Sequence, residues 1–130
     1  MKKLMLSCMA LLILAASVQA QEDPAKALKK AGTALKTFSL DQSANLDKLH
    51  EAVQMIAIAE EGDATKGLVE TWQTSGDIYN AIASQIVSIR QYNIGSESDL
   101  PKVDQPAVKA FTAYQQAMTL AEKNTKPKAP

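Results

Sequence analysis

Apolar residues recur three and four positions apart along most of the chain, and no segment alternates apolar with polar residues over the length of a strand. That pattern predicts an all-α protein. Leu28, Ala31, Leu35 and Phe38 mark one face of a first helix over Pro24–Phe38. Asp23 and Pro24 open it, the Asp accepting from orphan backbone donors and the Pro preset for the first turn. The polar run Asp41-Gln42-Ser43 breaks this helix. A second follows, with Asn45 as its expected cap, Leu49, Ala52, Val53, Ile56 and Ala59 as its stripe, and Gly62 as its expected left-handed stop. A third is expected from Ala64 to about Tyr92, capped by Asp63 and striped by Leu68, Trp72, Ser75, Gly76, Tyr79, Ile82, Ala83, Ile86 and Ile89. Unbroken, it would be roughly 40 Å long at about 1.5 Å per residue, longer than one hairpin partner can cover. Its last turns, with Ile86, Val87, Ile89 and Arg90, must therefore cover a neighbouring unit or project outward. Gly95, Ser96, Ser98 and Pro101 mark Asn93 to Asp104 as a loop. A fourth helix opens at Asp104 to Pro106, with Ala107, Ala110, Phe111, Tyr114, Ala117, Met118 and Ala121 expected to face inward. The Lys- and Pro-rich end from Lys123 is expected to leave the fold, residues 125–130 forming a disordered tail after a helical domain over 21–124.

One skeleton occurs twice. Leu28, Ala31, Gly32 and Leu35, followed by Ala52, Ile56 and Ala59, match Trp72, Ser75, Gly76 and Tyr79, followed by Ala110, Tyr114 and Ala117. Each copy pairs a helix that carries a Gly between bulky residues with a helix that offers small residues around a bulky one. A mid-helix Gly costs about 1 kcal/mol relative to Ala, so close approach of the partner helix is the expected reason for Gly32 and Gly76. The architecture predicted is two stacked antiparallel helical hairpins.

Those residues resemble the tetratricopeptide repeat family, whose first helix carries W-x-x-L-G-x-x-Y and whose second carries A-x-x-x-F-x-x-A. The second unit reads WQTSGDIY over Trp72 to Tyr79 and AFTAYQQA over Ala110 to Ala117, with Ser for the usual Leu and Tyr for Phe. The first unit, Leu28 to Leu35 with Ala52 to Ala59, keeps the offsets without the aromatics. The family spaces its Gly about 12 residues before the partner Ala. Here the intervals are 20, from Gly32 to Ala52, and 34, from Gly76 to Ala110, and Glu122 stands where a unit usually closes on Pro. In this lengthened form the chain resembles exported repeat proteins of Bacteroidetes envelopes. The resemblance implies a concave groove lined by the first helix of each unit. It places Glu70, Gln73, Asp77 and Asn80 on the groove side as a polar, mildly acidic strip suited to a basic or hydrogen-bonding peptide.

The start of the chain bears on where this domain works. Lys2 and Lys3, an apolar run from Leu4 to Ala16, and Val18-Gln19-Ala20 make an export signal over Met1–Ala20, too short in its apolar part for a transmembrane anchor. Cys8 lies too early for a lipid-attachment site. Cleavage after Ala20 would leave 110 of the 130 residues, no cysteine, and 12 basic against 14 acidic side chains once Lys2 and Lys3 are gone. A disulfide-free exported helical domain fits the periplasm or cell envelope of a Gram-negative cell, and its charge makes no case for nucleic acid.

Reactive chemistry is sparse. His50, the only histidine, has no second group to work with and reads as a surface residue. No zinc, haem, EF-hand or phosphate-loop spacing occurs, and neither cofactor nor metal is expected. Glu60, Glu61 and Asp63 read as an exposed acidic corner. Lys26, Lys29, Lys30 and Lys36 read as a solvated basic face, and Trp72, Tyr79, Phe111 and Tyr114 as core packing rather than a ligand cage. The expectation is a non-catalytic protein-binding scaffold. Its rivals are a four-helix-bundle enzyme or cofactor carrier, which would need inward-pointing ligands, and a self-assembling structural or chaperone-like protein, since two units are fewer than repeat folds usually require.

Overall fold

Asp23 caps the first helix as its position suggests, its carboxylate accepting from the Lys26 amide at 3.1 Å while Pro24 takes the first turn. A computed structural model describes residues 22–126. The expected export signal Met1–Ala20, Cys8 and the end of the expected tail lie outside the described residues. Helix α1 (Pro24–Leu40) and helix α2 (Leu46–Glu61) form one antiparallel hairpin, and α3 (Val69–Tyr92) and α4 (Pro106–Thr125) form a second. A short 3-10 turn, Glu97–Asp99, lies in the connection between α3 and α4. Among the described residues every regular element is helical, and α3 is the longest. The protein is therefore all-α, two stacked hairpins, and no described helix is long and apolar enough to cross a membrane.

The hairpins meet through α3, which packs mainly on α2 and touches α1. Two faces of α3 are consequently buried. Gly76 serves the face toward α4, Thr71 is a buried polar residue, and Ile78, Tyr79 and Ile82 belong to the core shared with Leu28, Phe38, Leu49, Ala52 and Ile56. Phe38, Leu49, Ile56, Ile78 and Ile82 are each at most 1% exposed, and each such side chain contributes about 1.5–3 kcal/mol by leaving water. The predicted single stripe on α3 missed Thr71 and Ile78 because it assumed one partner, whereas the helix has neighbours on two sides. Leu68, at the edge of that stripe, is 44% exposed.

Several boundaries and caps differ from expectation. Helix α3 begins at Val69 rather than Ala64, and Asp63 does not cap it. Residues 62–68 instead form a hydrogen-bonded turn in which the buried Thr65 hydroxyl donates to the Ala59 carbonyl at 2.5 Å and the Thr71 hydroxyl donates to the Thr65 carbonyl at 2.7 Å. Gly62 is not left-handed (φ −69°); a side chain there would meet Pro24 Cγ at 2.5 Å and the Thr65 hydroxyl at 2.7 Å, so it is Gly for want of space. Asn45 stands before α2 without capping it. Its amide nitrogen reaches back to the carbonyls of Thr37 at 3.2 Å and Asp41 at 3.0 Å and closes the end of α1 instead. The end of α4 runs through Lys123 to Thr125, beyond the point where the sequence suggested a tail.

The 93–104 connection is no loose loop. Leu100 is 4% exposed and joins the core, with Val103 packed beside it. Arg90 holds Glu97 through two hydrogen bonds of 2.6 and 3.0 Å, and His50 Nε2 lies 2.7 Å from the Asp99 carbonyl. The connection thus folds back over the last turns of α3, where Ile86 and Ile89 are partly buried while Val87 stays exposed.

Candidate functional site

Gly76 is the point of close approach in the second hairpin. A Cβ there would lie 2.6 to 2.8 Å from Cδ1 and Cζ of Tyr114, so the Tyr114 ring lies flat over the bare backbone of α3. The ring's hydroxyl then reaches one residue further and donates to Asp77 Oδ1 at 2.6 Å. Burial and that acceptor push the Tyr114 hydroxyl up to about 12. Tyr79, Ala110 and Ala117 complete this contact as buried residues. Gly32 is different: nothing stands within 4 Å of the position a Cβ would take, so close approach does not explain it. It opens onto a cleft of about 450 Å³ between α1 and α3, bordered by Leu28, Thr33, Lys36, Glu70 and Thr74.

Glu70, Gln73, Asp77 and Asn80 are all exposed on α3. Glu70 lies at the α1 side, on the rim of that cleft, and Asp77 lies at the α4 side, engaged by Tyr114. The strip is less acidic in its setting than its own residues suggest, because Lys29 and Lys36 of α1 face Glu70 across the cleft.

Trp72 stands beside α4. The indole is half-buried, its Nε1 donating to the Lys66 carbonyl at 2.8 Å, and it lines a different cleft with Val108, Lys109, Thr112 and Ala113 of α4. A long helix that starts five residues later than predicted leaves the turn at 62–68 within reach of the indole, and the turn takes its hydrogen bond. The four aromatics accordingly do not form one core. Tyr79 is buried, Tyr114 partly so, and Phe111 is 62% exposed. Met118 and Ala107 also face outward, because among the described residues the neighbour of α4 lies along Ala110, Ala113, Tyr114 and Ala117.

The acidic corner is not a cluster. Glu61 and Asp63 are exposed, Asp63 pairing with Lys66 at 2.7 Å, whereas Glu60 turns inward and accepts from the Ser75 hydroxyl. Burial holds the Glu60 carboxyl above its ordinary value of 4.5, against the opposing pull of the Ser75 hydrogen bond and Lys109. Nothing in the sequence distinguished Glu60 from Glu61 except the helical register that puts Glu60 one turn after Ile56. Among the described residues no group of three or more His, Cys, Asp or Glu is placed to hold a metal ion. His50 is exposed and spends a ring nitrogen on the Asp99 carbonyl, and Lys26, Lys29, Lys30 and Lys36 are exposed along α1. Compared with family models, curated proteins and solved structures, the chain matches none.

Proposed function

We propose that this protein is a non-catalytic interaction scaffold that holds a segment of a partner protein along the exposed face of α3. The observation that carries the reading is the continuity of that face: Glu70, Gln73, Asp77 and Asn80 stand exposed in succession, and Glu70 at one end borders an open cleft of about 450 Å³. A helix face three or four residues wide presents a regular row of donors and acceptors, which suits an extended or helical peptide. Glu70 opposite Lys29 and Lys36 favours a segment that carries both signs of charge. The resemblance to tetratricopeptide repeats supports the same surface, and the pattern of Met1–Ala20 supports a site of action in the periplasm or envelope. The test is a pull-down from an envelope extract with wild type and with a Glu70→Ala, Asp77→Ala, Asn80→Ala triple variant. A Tyr114→Phe control separates loss of the Asp77 hydrogen bond from loss of the strip. Loss of a verified partner in the triple variant alone is expected; equal recovery by all three proteins would remove the strip.

A second reading is self-assembly through α4, favoured by the exposure of Phe111 (62%) and Met118 (59%) on one side of that helix. The two readings use different surfaces and are compatible.

A further inference from the structure

On the side of α3 away from the polar strip, α2, α3 and α4 enclose an open cleft of about 210 Å³. Trp72, Ser75 and Tyr79 share that face of α3, Glu60 enters from α2, and Val108 and Lys109 enter from α4. Glu60 accepts a hydrogen bond from the Ser75 hydroxyl, and among the described residues no cation is paired with it. It is a carboxylate drawn part-way out of water without a counter-ion in contact. Beside it the Lys109 ammonium stands over the Tyr79 ring, 5.6 Å from its centroid. An aromatic face attracts a cation through its quadrupole, so the cleft already holds one alkylammonium group. The Trp72 indole is pinned as a further wall by its bond to the Lys66 carbonyl. Val108, 55% exposed, offers an apolar rim along which a methylene stem can lie.

A carboxylate beside two aromatic walls and an apolar rim is the chemistry that recognises a primary ammonium on a short alkyl stem. A water molecule takes about 30 Å³ of liquid volume, so the cleft has room for the five heavy atoms of such a group. We propose that this cleft binds a lysine side chain presented by a partner protein, with Glu60 as its counter-ion and Tyr79 and Trp72 as its walls, and that Lys109 is the tethered group it displaces. The site is separate from the α3 strip and stands whether or not the strip binds a peptide.

Trp72 is the only tryptophan of the chain, so its emission reports on the cleft alone. The full-length protein is titrated with n-butylammonium chloride, with n-butanol as the neutral isostere and ethanolamine as the short-stemmed amine of a lipid headgroup, at constant ionic strength. A saturable change at millimolar butylammonium is expected, with no saturation by butanol and weaker binding of ethanolamine. Glu60→Gln, which keeps an oxygen for the Ser75 hydroxyl, is expected to lose the response. Lys109→Met, at an exposed position that does not endanger folding, is expected to bind butylammonium about two- to fivefold more tightly, the factor that an exposed cation–π contact is worth. The strip's triple alanine variant is expected to respond as wild type does, which keeps the two readings distinguishable. Butanol or ethanolamine binding as well as butylammonium, an undiminished response in Glu60→Gln, or no tightening in Lys109→Met would each overturn the assignment.

Discussion

Gly32 and Gly76 occupy the same place in the repeated skeleton and have opposite physical roles. At Gly76 a methyl group would strike the Tyr114 ring, and at Gly32 it would enter empty space. Gly76→Ala is therefore expected to destabilise by about 1–3 kcal/mol through overpacking. Gly32→Ala is expected to stabilise by about 0.5–1 kcal/mol, since a helix interior prefers Ala when nothing crowds it. Urea denaturation of the two variants checks both, and a loss of stability in Gly32→Ala would mean that α1 has a neighbour not accounted for. The sequence could identify both glycines as exceptional but not tell them apart, because what separates them is the partner side chain: the Tyr114 ring at Gly76, and nothing within 4 Å at Gly32. Glu60 makes a further residue-scale expectation. Its folded carboxyl holds the proton more tightly than an unfolded one, so between 4.5 and its raised value the native state binds more protons and stability falls as pH rises. Glu60→Gln, which cannot ionise, is expected to be more stable than wild type at neutral pH and to match it below the carboxylate range. Melts across that range decide the point: a gap that widens toward acid would reverse the sign.

At the scale of elements, what the sequence could and could not give follows from the range of the interactions involved. The four helices were legible because each carries a local period, and the opening of α1 at Asp23 and Pro24 and of α4 at Pro106 rests on neighbours in sequence. The misjudged joints depend on tertiary contacts. Gly62 yields to Pro24, Asn45 serves the preceding helix, and the turn at 62–68 is held by Thr65, Thr71 and Trp72 acting together. The 93–104 connection was legible as a loop, but its hold on the core was not, since its polar residues hide one core side chain, Leu100. Leu100→Ala is expected to cost about 2–5 kcal/mol, as much as a truncation inside a helix core, because the residue is 4% exposed. Hydrogen exchange should then quicken at the Leu100 amide, which donates to the Glu97 carbonyl at 3.2 Å, and at the last turns of α3. A cost within 0.5 kcal/mol of zero, the range of an ordinary surface substitution, would show that the connection is as loose as its composition suggests.

For the whole molecule, the two hairpins share a plan but not an environment. On α2, Ile56 is fully buried where α3 packs over it; on α4, the equivalent Tyr114 is only partly covered, and among the described residues no further helix lies over it. The exposure of Glu70, Gln73, Asp77 and Asn80 follows from helical register, whereas the Glu60 cleft was not legible in the sequence, because it joins residues from three helices. The uncovered side of α4 carries Ala107, Phe111 and Met118, spaced by four and seven residues, which puts them on one stripe that can pack on another helix. A second copy of the chain can bury that stripe by presenting the same one, since a two-fold contact is self-complementary. Association of this kind stabilises by mass action, so the melting temperature is expected to rise with protein concentration in the wild type. Phe111→Ser with Met118→Ser replaces two side chains that lie outside the monomer core, so it is expected to leave helicity intact while abolishing the concentration dependence. Sedimentation equilibrium on both proteins completes the test. A wild type that sediments as a monomer and melts at one temperature at every concentration would assign the stripe to solvent, and would leave the two hairpins stable on their own packing.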